Sequence, residues 1–212
     1  MEQETLSLDH ARWTHLWARL GAHGAGHSIF DQLVAAYGDP VRAYHNIGHL
    51  RHCLMEFDRS RSIARHPDEV EAALWFHDAV YVPGNSDNEV RSARQAETAL
   101  TNDGVPPDRA KRVAALILAT RHLEVAEGRD AQLVCDIDLS ILGSEPSEFD
   151  EFERLIRREY AWVPQPIYRS SRAAVLGGFL RRPSIYQSPP FMERYERQAR
   201  RNLERAVATL TQ

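Results

Sequence analysis

The chemistry this chain could do is concentrated where histidine meets aspartate. His77 and Asp78 lie in the most apolar run of the sequence, AALWFHDAVY, and Asp136 and Asp138 flank Ile137 in a second apolar run, LVCDIDLSILG. Burying a carboxylate or an imidazole without a partner is costly, so groups in such runs need something to compensate them. A divalent cation would do so, neutralising the carboxylates and using the imidazole lone pairs. A plain structural hydrogen bond is the competing explanation for a single His-Asp pair. A third feature, Tyr44-His45-Asn46-Ile47-Gly48-His49, sets His45 and His49 four residues apart. On a helix they share a face, where both chelate, or one is a ligand and the other caps the helix or faces a substrate.

The elements that must position these groups read as helices throughout. Apolar residues recur at three and four positions, and the alternation of a half-buried strand is scarce. The spacing predicts helices over about 8–20 and 29–37, the first ending in GAHGAG and the second at Gly38-Asp39-Pro40. His23 and His27 fall in the glycine-rich link and are expected to be exposed loop histidines. Ile47, Leu50, Leu54 and Phe57 mark a stripe within a helix over about 44–58. Pro67-Asp68-Glu69 opens the next, with proline and acids in its first turn. That helix, about 70–78, is apolar all round and belongs in a core. After the loop Pro83 to Asp87, with Asp87 as N-cap, comes an amphipathic helix, and Pro106-Pro107-Asp108 starts another that reaches Thr120-Arg121-His122. The run LVCDIDLSILG is a short buried segment closed by Gly143. Helices over 144–160, 168–180 and 190–210 follow, the last strongly charged and at the surface. The expectation is an all-α bundle, one domain over residues 1–212, with helices added after the motif core.

Composition narrows the function classes. The chain has 212 residues, 43% hydrophobic and 26% charged, enough for one substantial core. A net charge of −4 gives no chain-wide attraction to a nucleic-acid polymer or an anionic membrane. Lys111 is the one lysine among 26 basic residues, so arginine abundance is weak testimony for phosphate binding. Cys53 and Cys135 lack CxxC spacing and read as small buried hydrophobes, with a long-range disulfide left open. The acidic amino terminus lacks a signal-like basic and apolar sequence, and no apolar stretch reaches the roughly 18 residues of a spanning helix, so the cytoplasm is the expected compartment.

Taken in order, YHNIGHL, ALWFHDAVY and DIDLSILG resemble the HD superfamily of metal-dependent phosphohydrolases, in its bacterial predicted-phosphohydrolase branch. The resemblance covers about residues 40–145. It implies one metal ion held by His49, His77, Asp78 and Asp138, with Asp136 as the alternative to Asp138. An imidazole and carboxylate shell suits Mn²⁺, Fe²⁺, Co²⁺, Ni²⁺ or Zn²⁺ and, less well, Mg²⁺. The two-metal branches carry extra histidines between the doublet and the distal Asp, where this chain has His122 alone. One metal is therefore expected, and a two-iron oxygenase is disfavoured.

The implied reaction is hydrolysis of a phosphoester in a nucleotide or another small phosphorylated metabolite, by water that the ion acidifies while drawing charge from phosphorus. Glu89 is the candidate general acid or water-orienting group, with His122 the alternative. A first-turn carboxylate favourable to the helix dipole explains Glu89 equally well. His45, Asn46 and Arg42 are the candidate substrate-binding groups, with Arg51, Arg91 and Arg121 also near the motifs. Capping or turn roles compete for Asn46 and Asn88. Tyr160, Tyr168 and Arg172 are assigned to packing or pocket walls. The alternative to an enzyme is a non-catalytic HD module that binds a nucleotide or metal as a sensor.

Overall fold

A computed structural model describes residues 10–212. Among them are ten α-helices, two short 3-10 turns and no strand, so the all-helical expectation holds. The expected start of the first helix at Leu8 lies outside the described residues. No helix among them is long and apolar enough to cross a membrane. The chain divides into two compact units, the first ending at Val134 and the second beginning at Cys135. This division falls inside a helix, with no proline, glycine or polar linker beside it, and the sequence accordingly shows no seam there.

The first unit holds α1 (His10–Leu20), α2 (His27–Tyr37), α3 (Ile47–Ser60), α4 (Pro67–Phe76), α5 (Asn88–Asn102), α6 (Pro107–Ala119) and the first turns of α7 (Arg129–Asp138). Helix α4 is its centre and packs on α1, α3, α5 and α6. Every residue from Glu69 to Phe76 is buried, as expected of a helix apolar on all sides. Its two buried acids, Glu69 and Glu71, are compensated individually. Glu71 meets Arg12, Arg19 and Arg61, and Glu69 meets Arg109 and Arg112. Losing the arginines would leave buried charges unpaired, a defect that costs about 3–5 kcal/mol. Trp13, Trp17, Phe30 and Trp75 cluster beside this helix. The cluster needs Gly26, whose φ of 62° puts it in the left-handed region and where a Cβ would come within 2.7 Å of Trp13 Nε1.

The second unit holds the end of α7, a 3-10 turn over Leu139–Gly143, α8 (Pro146–Glu159), α9 (Gln165–Leu180) and α10 (Pro189–Leu210). Helix α10 packs on α9 and on the 3-10 turn. Its polar residues are largely exposed, as its charge predicts, while Phe191, Ala199, Asn202 and Leu203 are buried. Asn202 donates to the carbonyls of Leu142 and Ser144, at 3.0 and 2.9 Å, and fixes the turn against the helix. The run LVCDIDLSILG, expected as a short segment, is the last part of α7 followed by that turn.

Candidate metal centre

Two local features deliver the first unit's histidines. Asn46 caps α3: its side-chain oxygen accepts the Gly48 N–H at 2.7 Å and its amide donates to the Ala43 carbonyl at 2.8 Å. The helix therefore starts at Ile47, three residues later than the spacing suggested. His49 falls in its first turn, on the buried side with Leu50 and Cys53. The second feature is the end of α4. The last helical residue is Phe76, and His77-Asp78 follows as a turn, so the doublet sits just beyond the helix and not within it.

His77 Nδ1 lies 2.8 Å from the Leu74 carbonyl oxygen. A carbonyl can only accept, so Nδ1 carries the proton and the lone pair is on Nε2. That atom is 3.0 Å from His49 Nε2 and 3.2 Å from Asp78 Oδ2, and His49 Nε2 is 3.5 Å from the same oxygen. All three side chains are buried. Ligand atoms that bind one ion at about 2.0–2.2 Å stand roughly 2.9–3.5 Å apart, which is the size of this triangle. The site thus meets the basic test for a divalent cation: two imidazole lone pairs and one carboxylate meet at one buried point. Burial pushes the Asp78 carboxyl up, but the neighbouring rings of His77, His45 and His49, with a hydrogen bond to His77, outweigh it and hold the group well below the usual carboxylate range. The carboxylate is the form a cation would need.

Cys53 stands with His49 and His77 in a group whose ligand atoms could hold a metal ion. Its Sγ is 3.7 Å from His49 Nε2 and 3.8 Å from Nδ1, so the thiol stands beside the ring. The ligand atoms of His49, Cys53 and His77 all lie within 4.8 Å of one another. Sequence reasoning took Cys53 for a buried hydrophobe and expected a thiolate-free shell; its spacing of four residues from His49 on one helix was the signal available. Both cysteines are buried, and the structure places neither in a disulfide.

The other expected site residues divide between the site and the scaffold. His45 is not on α3, because the cap at Asn46 excludes it. Its ring stacks on Tyr81 at 4.1 Å and lies 5.7 Å from the His49 ring, which keeps it next to the ligands. Arg42, expected to meet a substrate, is buried and donates to the carbonyls of Asp78 and Ala79 at 2.6 and 3.1 Å. Asn46 spends its amide on the cap. Glu89 stands half-buried in the first turn of α5, where Asn88 pins the preceding loop through the N–H and carbonyl of Val82, each at 3.0 Å. Asp87 occupies the N-cap position but makes no side-chain capping bond. His122 follows the end of α6 with φ 54°, the one non-glycine residue at positive φ among the described residues, a conformation uncommon outside glycine that Asn, Asp and His adopt more readily than other residues. His23 and His27 are exposed, as expected, but His27 is the first residue of α2 and not part of the link.

The two aspartates of α7 are separated by the helix itself. Residues two apart on a helix point about 200° away from each other, and 129–138 is helical throughout. The Asp136 carboxylate accepts the Gln187 N–H at 2.9 Å and the Ser188 N–H at 2.6 Å, where the chain enters α10. Burial raises its pKa in spite of these donors. It therefore fixes the start of another helix. Asp138, the last residue of α7, projects from a different face.

A groove of about 1110 Å³ also opens in the first unit, lined by Arg65, Arg112, Leu118, Arg121, Leu123 and Val125 among others, and it contains none of the candidate ligands. Compared with family models, with curated proteins and with solved structures, the chain finds no match in any of the three.

Proposed function

We propose that this chain is a metal-dependent phosphohydrolase of the HD type, acting on a phosphoester of a nucleotide or another small phosphorylated metabolite. The observation that carries the reading is the meeting of His49 Nε2, His77 Nε2 and Asp78 Oδ2 at 3.0–3.5 Å in a buried site. Asp138 is the proposed fourth ligand, since the resemblance assigns it that place and Asp136 is engaged with Gln187 and Ser188. A divalent cation held there supplies Lewis acidity toward a phosphoryl oxygen and toward water.

The chain's own residues do the rest. His45, beside the ligands and braced by Tyr81, is the proposed contact for a phosphoryl oxygen. Glu89 is the proposed proton donor to the leaving oxygen: as water's oxygen bonds to phosphorus, the ester P–O bond breaks and the departing oxygen takes the proton. His122 is the second candidate for that task. Arg42 and Asn46 are engaged with backbone and are not assigned to substrate.

The test is a screen of phosphorylated metabolites with purified protein supplied in turn with Mn²⁺, Co²⁺, Ni²⁺, Fe²⁺, Zn²⁺ and Mg²⁺. Phosphate release that stops with chelator and returns with metal is expected. Stoichiometric metal binding with no turnover of any phosphoester would instead favour a sensor module.

A further inference from the structure

A buried guanidinium usually faces a carboxylate, because taking its charge out of water is costly. Arg42 is buried, yet among the described residues its hydrogen-bond partners are backbone carbonyls. Nη1 donates to the Asp78 carbonyl at 2.6 Å and reaches that of His45 at 3.4 Å, while Nη2 donates to the Ala79 carbonyl at 3.1 Å. The group lies over the rings of Tyr37 and Tyr81, 5.4 and 5.7 Å from their centroids. Tyr37 grips the same segment from its other end, its hydroxyl accepting the Asp78 N–H at 3.2 Å.

Asp78 needs such anchors. It lies beyond the last residue of α4, so its carbonyl belongs to no helical ladder, and its orientation must be set by tertiary contacts. We propose that Arg42 is the positioning residue of the metal centre. Its planar fork fixes the two successive peptides that carry the Asp78 and Ala79 carbonyls, and so aims the Asp78 carboxylate at the point where the two imidazoles meet. The same guanidinium ties the backbone of His45 to those peptides, coupling the proposed substrate-facing loop to the ligand loop. The inference rests on the metal reading above. Lysine cannot replace the fork, since a single ammonium on a flexible stem does not hold two divergent carbonyls in one plane.

The test is titration with Co²⁺, followed by visible absorption, of the wild-type protein, R42K, R42A and H77A, with the thermal midpoint of each metal-free protein read in parallel. Wild type is expected to bind one Co²⁺. R42K and R42A should bind it about 10- to 100-fold more weakly, the scale for losing a group that orients a ligand. Methylguanidinium should restore binding to R42A and do nothing for H77A, a rescue that general loss of stability would not give. If R42A does not fold, R42K, which keeps the charge and most of the volume, decides. R42K with wild-type affinity, or folded R42A that methylguanidinium leaves unchanged, overturns the inference while the metal reading stands. Wild-type protein that binds no Co²⁺ overturns both.

Discussion

His77 Nδ1 donates to the carbonyl of Leu74, three residues earlier, at 2.8 Å. That one bond fixes the tautomer and the rotation of the ring, and turns Nε2 toward His49 and Asp78. Orientation of a ligand imidazole through its other nitrogen is a general device of metal sites. His77→Ala and Asp78→Ala should each abolish bound metal and phosphate release together, because each removes electrons from the same ion. Metal analysis of the purified variants decides; full stoichiometry in both would remove these residues from the site.

Metal should also stabilise the fold. Two imidazoles and a carboxylate are buried at one point, and an ion that binds the folded chain alone adds about 2.7 kcal/mol at a free concentration 100 times its dissociation constant. Chelator should lower the thermal midpoint and added Mn²⁺ or Co²⁺ should raise it, with H77A insensitive to both. A midpoint in wild type that does not move with metal would argue against a specific site.

Much of this architecture was legible because its signals are local. Proline with acids in the first turn announced α4 at Pro67-Asp68-Glu69, and a run of apolar residues announced its burial. The His77-Asp78 doublet in that run pointed to the site for the same reason, a cost of burial that demands a partner. The misplacement of His45 was also a local matter: Asn46 followed by Gly48 is a cap signal, and giving it more weight would have started α3 at Ile47. The role of Arg42 could not be read, because its carbonyl partners Asp78 and Ala79 are 36 and 37 residues away. Asp136 presents the same difficulty, with partners 51 and 52 residues downstream.

Glu89→Gln should keep the metal and slow turnover by roughly 100-fold or more, the usual scale for losing a proton-transfer group. Metal content and rate must be measured on the same preparation, so that a lost ligand is not mistaken for a lost proton. An unchanged rate would leave Glu89 as a first-turn carboxylate that interacts with the dipole of α5.

The two aspartates of α7 should fail in different ways when each becomes asparagine. Asp136 accepts two backbone N–H groups at the entry to α10, and charge-assisted bonds to a buried acceptor are worth about 1.5–3 kcal/mol. Asn keeps one acceptor oxygen but replaces the other with an amide that donates, so Asp136→Asn should lower stability by about 1–3 kcal/mol and leave metal affinity near wild type. Asp138 lies two residues further on, about 200° around the helix, and has no share in that anchor. Asp138→Asn should instead weaken metal binding while the denaturation midpoint of the metal-free protein stays near wild type. Urea unfolding without metal, set beside a metal titration for each variant, separates the outcomes. If Asp136→Asn proves the greater loss in the titration, the ligand role passes to Asp136 and the bonds to Gln187 and Ser188 must give way when metal binds.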